Sequence, residues 1–433
     1  MRALGAVGTR RRIQSACKQL SRRSGLIIPM ENTMTSVLDK VAVPSLESLL
    51  ARADEMIPYI REQDPVAEQL GRVPDEVITA FREAGFLDML KPALWGGYEM
   101  HPQNALQVVM KIASASTAIA WVLGLLVIHN WEVALVNPRL AEDIWGENPD
   151  ALISSSYAPF GKAEPVDGGY RLSGRWPWSS GCDACQWVVV GVIFPDAESE
   201  FGVTQKVMFV PRGDYSIDAD SWQMAGLMGT GSRDVVIDNV FVPEHRVHNI
   251  MESYYDNNPG AGTFPSDTFK YSFGNVFAWT LAAVVIGAGE GAVELFRNMM
   301  AAKKHAYSGA EVKFDPFTQQ RLAEAVAMLY SARASMEKDF AEMKATIEQG
   351  EKIDKGRRMF FKWNAAFGAR TANEAITLVM NSAGGNAFRL SNPLQRVFRD
   401  VQTGTNHQFI NPDKGASNYG LYLLSGQIPD FVI

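Results

Sequence analysis

The strongest constraint on the fold is a change of texture near residue 151. From there to about residue 250 the chain runs in short β-branched stretches, "YRLSGRW", "QWVVVGVIF", "KVMFVPR" and "DVVIDNVFVP", punctuated by Gly, Pro and Asp. Such runs predict a small sheet or barrel. On either side, apolar residues recur at helical spacing: residues 45–150 break at "RVPDE", "PALWGGYEMHP" and "VNPRL", and from 270 onward long stretches such as "PFTQQRLAEAVAMLYSARASMEKDFAEMKATIEQG" carry no breaker. Helices, then strands, then helices predict an α+β chain with segregated layers rather than alternating βαβ units. No GxGxxG follows a strand, so a nicotinamide-binding domain is not expected.

With 433 residues, 47% of them hydrophobic, the chain is long enough for two or three packed subdomains. The formal charge of -7 argues against nucleic acid as a partner, because phosphate contacts need a concentrated basic surface. Basic residues concentrate only at the N-terminus, where Arg2, Arg10, Arg11, Arg12, Lys18, Arg22 and Arg23 precede the first acid, Glu31. That stretch reads as an organelle transit peptide or as an extended or disordered start, with the folded protein beginning at Met30 or Met34. The apolar runs 118–128 and 277–289 fall short of the ~20 residues of a membrane helix and read as core helices, so no membrane association is expected. The expected divisions are a tail over 1–40, an N-terminal helical domain over 41–150, a middle β domain over 151–255 and a C-terminal helical bundle over 256–433.

Cys182 and Cys185 stand at the CxxC spacing of redox and zinc sites. A structural zinc site needs about four N or S ligands, and no second CxxC or HxxxH completes one. A thioredoxin-like pair sits at a helix N-terminus, whereas Cys185 leads straight into the strand "QWVVVGVIF". Two small residues in a turn entering a buried strand is the expectation, with no metal. Three cysteines make no disulfide framework, which places the protein by default in the reducing cytoplasm.

The segments "HNWEVAL" at 129, "ISSSYAPFG" at 153, "RWPWSSGCDACQW" at 175, "GLMGTGSRDVVIDNVFVPEHR" at 226 and "NPLQRVFRDVQTGTNH" at 392, in that order, carry a resemblance to the acyl-CoA dehydrogenase superfamily. Within it the chain is most similar to the oxygenase components of two-component flavin-dependent monooxygenases, above all to the steroid-phenol and 4-hydroxyphenylacetate hydroxylases. Dehydrogenases of the superfamily place a Trp four residues and a Thr six residues after a Gly, against the flavin ring; Gly174, Trp178 and Ser180 hold those places here. They also place a catalytic Glu soon after an Arg-Asp pair. After Arg399 and Asp400 this chain reads "VQTGTNHQF", with His407 near that position and no carboxylate. The missing Glu argues for oxygenation rather than desaturation.

The resemblance implies ortho-hydroxylation of a phenol by reduced flavin and O2 through a C4a-hydroperoxyflavin that must be shielded from water. It implies that Ser180 bonds flavin N5 with Trp178 beside the ring, that His407 is the base for the phenol proton, and that His129 orients the hydroperoxide or the substrate hydroxyl. Ser155 is the implied substrate contact. Gly231 and Ser232, in the small-residue turn "GTGS", and Arg399 are the implied holders of flavin phosphate. Reduced FMN or FAD would arrive from a separate NAD(P)H:flavin reductase, to a homotetramer acting on an aromatic compound. The alternatives are an acyl-CoA dehydrogenase-type flavoenzyme, a monooxygenase acting on indole or a sulfur heterocycle, and a flavin-storage protein without catalysis.

Overall fold

A computed structural model describes residues 43–433. The basic N-terminal stretch and its alternative start sites lie outside the described residues.

Among the described residues five α-helices come first: α1 (Leu46–Leu70), α2 (Asp75–Glu83), α3 (Pro102–Ala113), α4 (Thr117–Glu132) and α5 (Pro138–Trp145). α4 is buried on every face, which explains why its sequence is apolar all round rather than striped. It starts where the Ser116 hydroxyl accepts the Ile119 N–H (3.2 Å) and itself donates to Asp64 (2.6 Å).

Eight strands follow: β1 (Ile153–Ser156), β2 (Lys162–Val166), β3 (Gly169–Ser179), β4 (Trp187–Pro195), β5 (Val203–Pro211), β6 (Ser216–Asp218), β7 (Arg233–Pro243) and β8 (Val247–Asn249). They form two four-stranded sheets, ordered β1-β4-β5-β8 and β2-β3-β7-β6. β1 runs parallel to β4, pairing Ser155 with Val189, and the remaining pairs are antiparallel. The sheets share a core of Leu172, Trp176, Val188, Val190, Val192, Met208 and Val235. Alternate residues of the first sheet, among them Val189, Val207 and Phe209, turn the other way into the main helical core. β4 is thus covered on both faces, and its near-continuous apolar run reflects that.

Helices return with α6 (Ile250–Tyr254), α7 (Phe273–Ala302), α8 (Pro316–Glu348), α9 (Lys355–Ala383), α10 (Pro393–Gly404) and α11 (Pro412–Ser425). α4 and α7 are long and apolar enough by composition to cross a membrane, yet their most apolar windows are 100% and 94% buried inside the protein, as core helices. α7 packs against α3, α4, α8, α9 and α10 and brings Phe273 and Phe277 toward the first sheet. Full burial of each such ring contributes about 1.5–3 kcal/mol.

Candidate active site

A cleft of about 700 Å³ opens between the first half of α4, the strand β1, the turn after β3, the segment before β7 and the residues that follow α10. That is within the range of small-molecule sites. Its lining brings together Ser155, Trp178, Ser180, Ser232 and His407 from four separate stretches of sequence.

Trp178 is 56% exposed although it is the bulkiest side-chain type, and its φ is +68°, a conformation that a bulky side chain rarely adopts. Trp222, Met224 and Leu227 line the same cleft. Gly181 ends the turn at φ +70°, and a Cβ there would lie 2.7 Å from Val122 Cγ1, so only glycine lets the turn close onto α4. The two halves of the wall are tied by Ser179, whose hydroxyl donates to Ser154 Oγ at 3.0 Å.

The hydroxyls beside Trp178 form a directed chain. Thr230 gives its only hydroxyl proton to Leu227 O (2.7 Å). Ser232, 2.6 Å from Thr230 Oγ1, must therefore donate to it, and Ser180, 2.7 Å from Ser232 Oγ, must donate to Ser232. Ser180 keeps only lone pairs for a ligand.

Gly231 and Arg399, the implied phosphate holders, both make hydrogen bonds within the protein. Gly231 is absent from the cleft wall; its φ is +55° and its N–H donates back to Met228 O (3.4 Å), while the Thr230 N–H donates to Leu227 O (3.1 Å). Two N–H groups of the turn are thus bonded within it. Arg399 donates to Gln395 Oε1 (2.8 Å), Ala225 O (2.6 Å) and Glu68 Oε1 (2.5 Å). Beside it the Asp400 carboxylate accepts the Leu227 N–H (2.6 Å) and pins that residue at φ +55°. Burial pushes the Asp400 carboxyl up to about 8, against the pull of Leu227 N–H and Arg399. Ser232 does line the cleft, with its hydroxyl committed to Thr230 rather than to a phosphate.

His407 lines the cleft between Trp121, Phe277 and Phe409, at ring separations of 5.9, 6.3 and 5.9 Å. Its Nδ1 accepts the Phe409 N–H at 3.3 Å, so the neutral ring carries its proton on Nε2. Burial lowers its pKa to about 4. A neutral ring held this way has an N–H to donate at Nε2.

His129 is fully buried behind Tyr157 rather than on the wall itself. Sequence reasoning missed Tyr157, Phe277, Lys362 and Asp430, all of which line the cleft. Asp430 is the one carboxylate among the described lining residues, and it is committed to Lys362 Nζ at 2.8 Å. The cleft therefore offers no free carboxylate of the kind an acyl-CoA dehydrogenase requires. Cys182 and Cys185 sit in the expected turn and are buried; burial pushes the Cys182 thiol up to about 12 and the Cys185 thiol well above its ordinary value. Among the described residues no cluster of three or more His, Cys, Asp or Glu could hold a metal.

Residues 279–412 match the C-terminal domain of acyl-CoA dehydrogenases. The chain is 35% identical over 372 residues, 86% of its length and 97% of the relative's, to the oxygenase subunit HsaA of a flavin-dependent monooxygenase of Rhodococcus jostii. The chain belongs to the oxygenase components of flavin-dependent monooxygenases. It is 30% identical to the oxygenase component of an FADH2-dependent resorcinol hydroxylase of a Rhizobium species, covering 87% of this chain and 94% of that one. The crystal structure of 3-HSA hydroxylase from Rhodococcus sp. RHA1 superposes with a TM-score of 0.85 at 33% identity, covering 89% of this chain and 99% of that one. The α+β architecture is thus the acyl-CoA dehydrogenase fold, and the enzyme is a monooxygenase component that works with reduced flavin and a separate reductase.

Proposed function

We propose that this oxygenase ortho-hydroxylates a phenolic substrate, using reduced FMN or FADH2 from an NAD(P)H:flavin reductase together with O2, and yields a catechol and water. The observation that carries the reading is the directed hydroxyl chain ending at Ser180. Reduced flavin has an N–H at N5 where oxidised flavin has a bare nitrogen, and a serine that shows only lone pairs suits the N–H. Trp178, Trp222 and Met224 supply flat apolar surface for a tricyclic ring, so the residues present fit the cofactor. Once bound, reduced flavin supplies the electrons that activate O2 and transfer one oxygen atom to the aromatic ring.

The protein's own part is to bind, orient and exclude water. Trp121, Phe277 and Phe409 form an apolar wall for an aromatic ring. Ser155 offers a hydroxyl to the substrate oxygen, and the His407 Nε2–H can hold a developing phenolate. Steroid-like, simple phenol, indole and sulfur heterocycle substrates fit within the same framework, and relatives acting on 3-HSA, p-hydroxyphenylacetate and resorcinol favour a phenol. The same reading divides the chain into domains at 41–150, 151–255 and 256–433 and places it in the cytoplasm as a homotetramer. Exposed Tyr330, Leu390, Leu423 and Leu424 on the C-terminal helices and their connections support burial against further copies.

The test is to mix protein charged with anaerobically reduced flavin against oxygenated buffer, with a panel of phenols, and to count catechol and H2O2 per flavin oxidised. Catechol formed from a panel member supports the reading. H2O2 alone, with every phenol, sinks it.

A further inference from the structure

Behind Tyr157 lies a group of buried polar side chains that the reading above does not use. Glu132, at the end of α4, is fully buried. The Tyr157 hydroxyl donates to its Oε2, and His248 Nδ1 donates to its Oε1 at 2.9 Å. Ser253 gives its proton to Asn258 Oδ1 (2.8 Å), so His248 Nε2 donates to Ser253 Oγ (2.9 Å). His248 and Tyr157 thus satisfy both oxygens of Glu132, the condition under which a buried carboxylate is tolerated.

This arrangement fixes a proton one residue further on. A carboxylate can only accept, and Tyr157 has spent its proton on it. The contact of 3.1 Å between Tyr157 Oη and His129 Nδ1 therefore requires the proton to sit on His129 Nδ1. The neutral ring then has its lone pair on Nε2, which is buried and has no hydrogen-bond partner. His129 packs against Tyr157 and Phe277, both of which line the cleft.

We propose that Glu132 is a positioning residue: through Tyr157 it locks His129 as a hydrogen-bond acceptor at Nε2, opposite in sense to the donor His407, and so fixes the polarity of the layer behind Tyr157 and Phe277 that backs the cleft. This rests on the phenol-hydroxylase reading. The logic is that of a carboxylate holding a catalytic histidine in one tautomer.

The tautomer can be read without flavin or substrate, from long-range 15N–1H correlations in protein carrying 15N-labelled histidine, with His129 assigned through His129→Gln. The wild type is expected to show a neutral Nδ1–H ring. In Glu132→Gln the amide N–H would donate to Tyr157, which would turn its own proton onto His129 Nδ1 and leave the ring as Nε2–H. Hydroxylation is expected to fall about a hundredfold in that variant, with flavin affinity unchanged. A wild-type ring protonated on Nε2, or a tautomer unchanged in Glu132→Gln, overturns the proposal. Tyr157→Phe is the second variant: it removes the relay and should give His129 a mixture of tautomers, and a ring still locked as Nδ1–H overturns the proposal equally. A wild-type protein with the Nδ1–H ring that converts no phenol in the panel would count against the phenol-hydroxylase reading and leave the positioning standing.

Discussion

His407 Nδ1 accepts the backbone N–H of Phe409 at 3.3 Å, and this contact decides which nitrogen faces the cleft. A side chain that keeps a donor at that place should keep part of the activity. His407→Gln is expected to lose about tenfold in catechol formed per flavin oxidised and His407→Leu about a hundredfold, both with flavin binding intact. Equal losses would show that the donor is not used.

The pH dependence follows from the same ring. Its pKa is lowered to about 4 by burial, from an ordinary value near 6.5. Between those values the unfolded chain binds the proton and the folded one does not, so stability rises with pH across roughly 4 to 6.5 and is lost as pH falls. His407→Gln should flatten that part of a denaturation series run in steps of pH.

Ser232 sets the sense of Ser180. With Ser232→Ala the Ser180 proton is released from its partner and can turn toward the ligand. The preference for reduced over oxidised flavin is expected to shrink by about 1 kcal/mol, roughly fivefold in relative affinity, read by anaerobic titration of each redox form. An unchanged preference would mean that the chain of hydroxyls does not select the redox state.

Asp400 carries the opposite sign. Its folded pKa is raised to about 8 by burial, so between about 4 and 8 the folded protein holds a proton that the unfolded chain has released. Stability then falls as pH rises through that window, by up to about 1.4 kcal/mol per pH unit. Asp400→Asn keeps an oxygen for the Leu227 N–H and removes the titration; urea midpoints at pH 5 and pH 8 should lie closer together than in the wild type.

The layered fold was readable because β4, β5 and β7 are runs of β-branched residues and α8, after its first residue, carries no Gly or Pro. The short strands β1, β2, β6 and β8 were not, since a segment such as "ISSS" has no apolar pattern and becomes a strand only by pairing with β4. At the site, Ser155, Trp178, Ser180, Ser232 and His407 all reach the cleft named by their motifs. For Gly231 and Arg399 a motif shows that donors exist, and only the folded chain shows that Met228 O and Glu68 engage some of them. Glu132 was invisible as a buried acid because, at a helix end, it reads as a solvated charge. Its partner His248 lies 116 residues away, beyond any local spacing. An acid and a histidine closing two apolar runs in the same chain were the only trace of the pair.

The contact between Ser154 and Ser179 joins two strands that carry different cargo. β1 presents Ser155 to the cleft, and the residue after β3 presents Ser180 to it, while Ser154 and Ser179 are not in its lining. Under the proposed function the gap between oxidant and ring is therefore set by a pair of side chains outside the cleft wall. Small changes in volume at 154 or 179 would slide one carrier past the other and bring a neighbouring ring carbon into reach, so regiochemistry in this enzyme can drift while every group that meets a ligand stays the same.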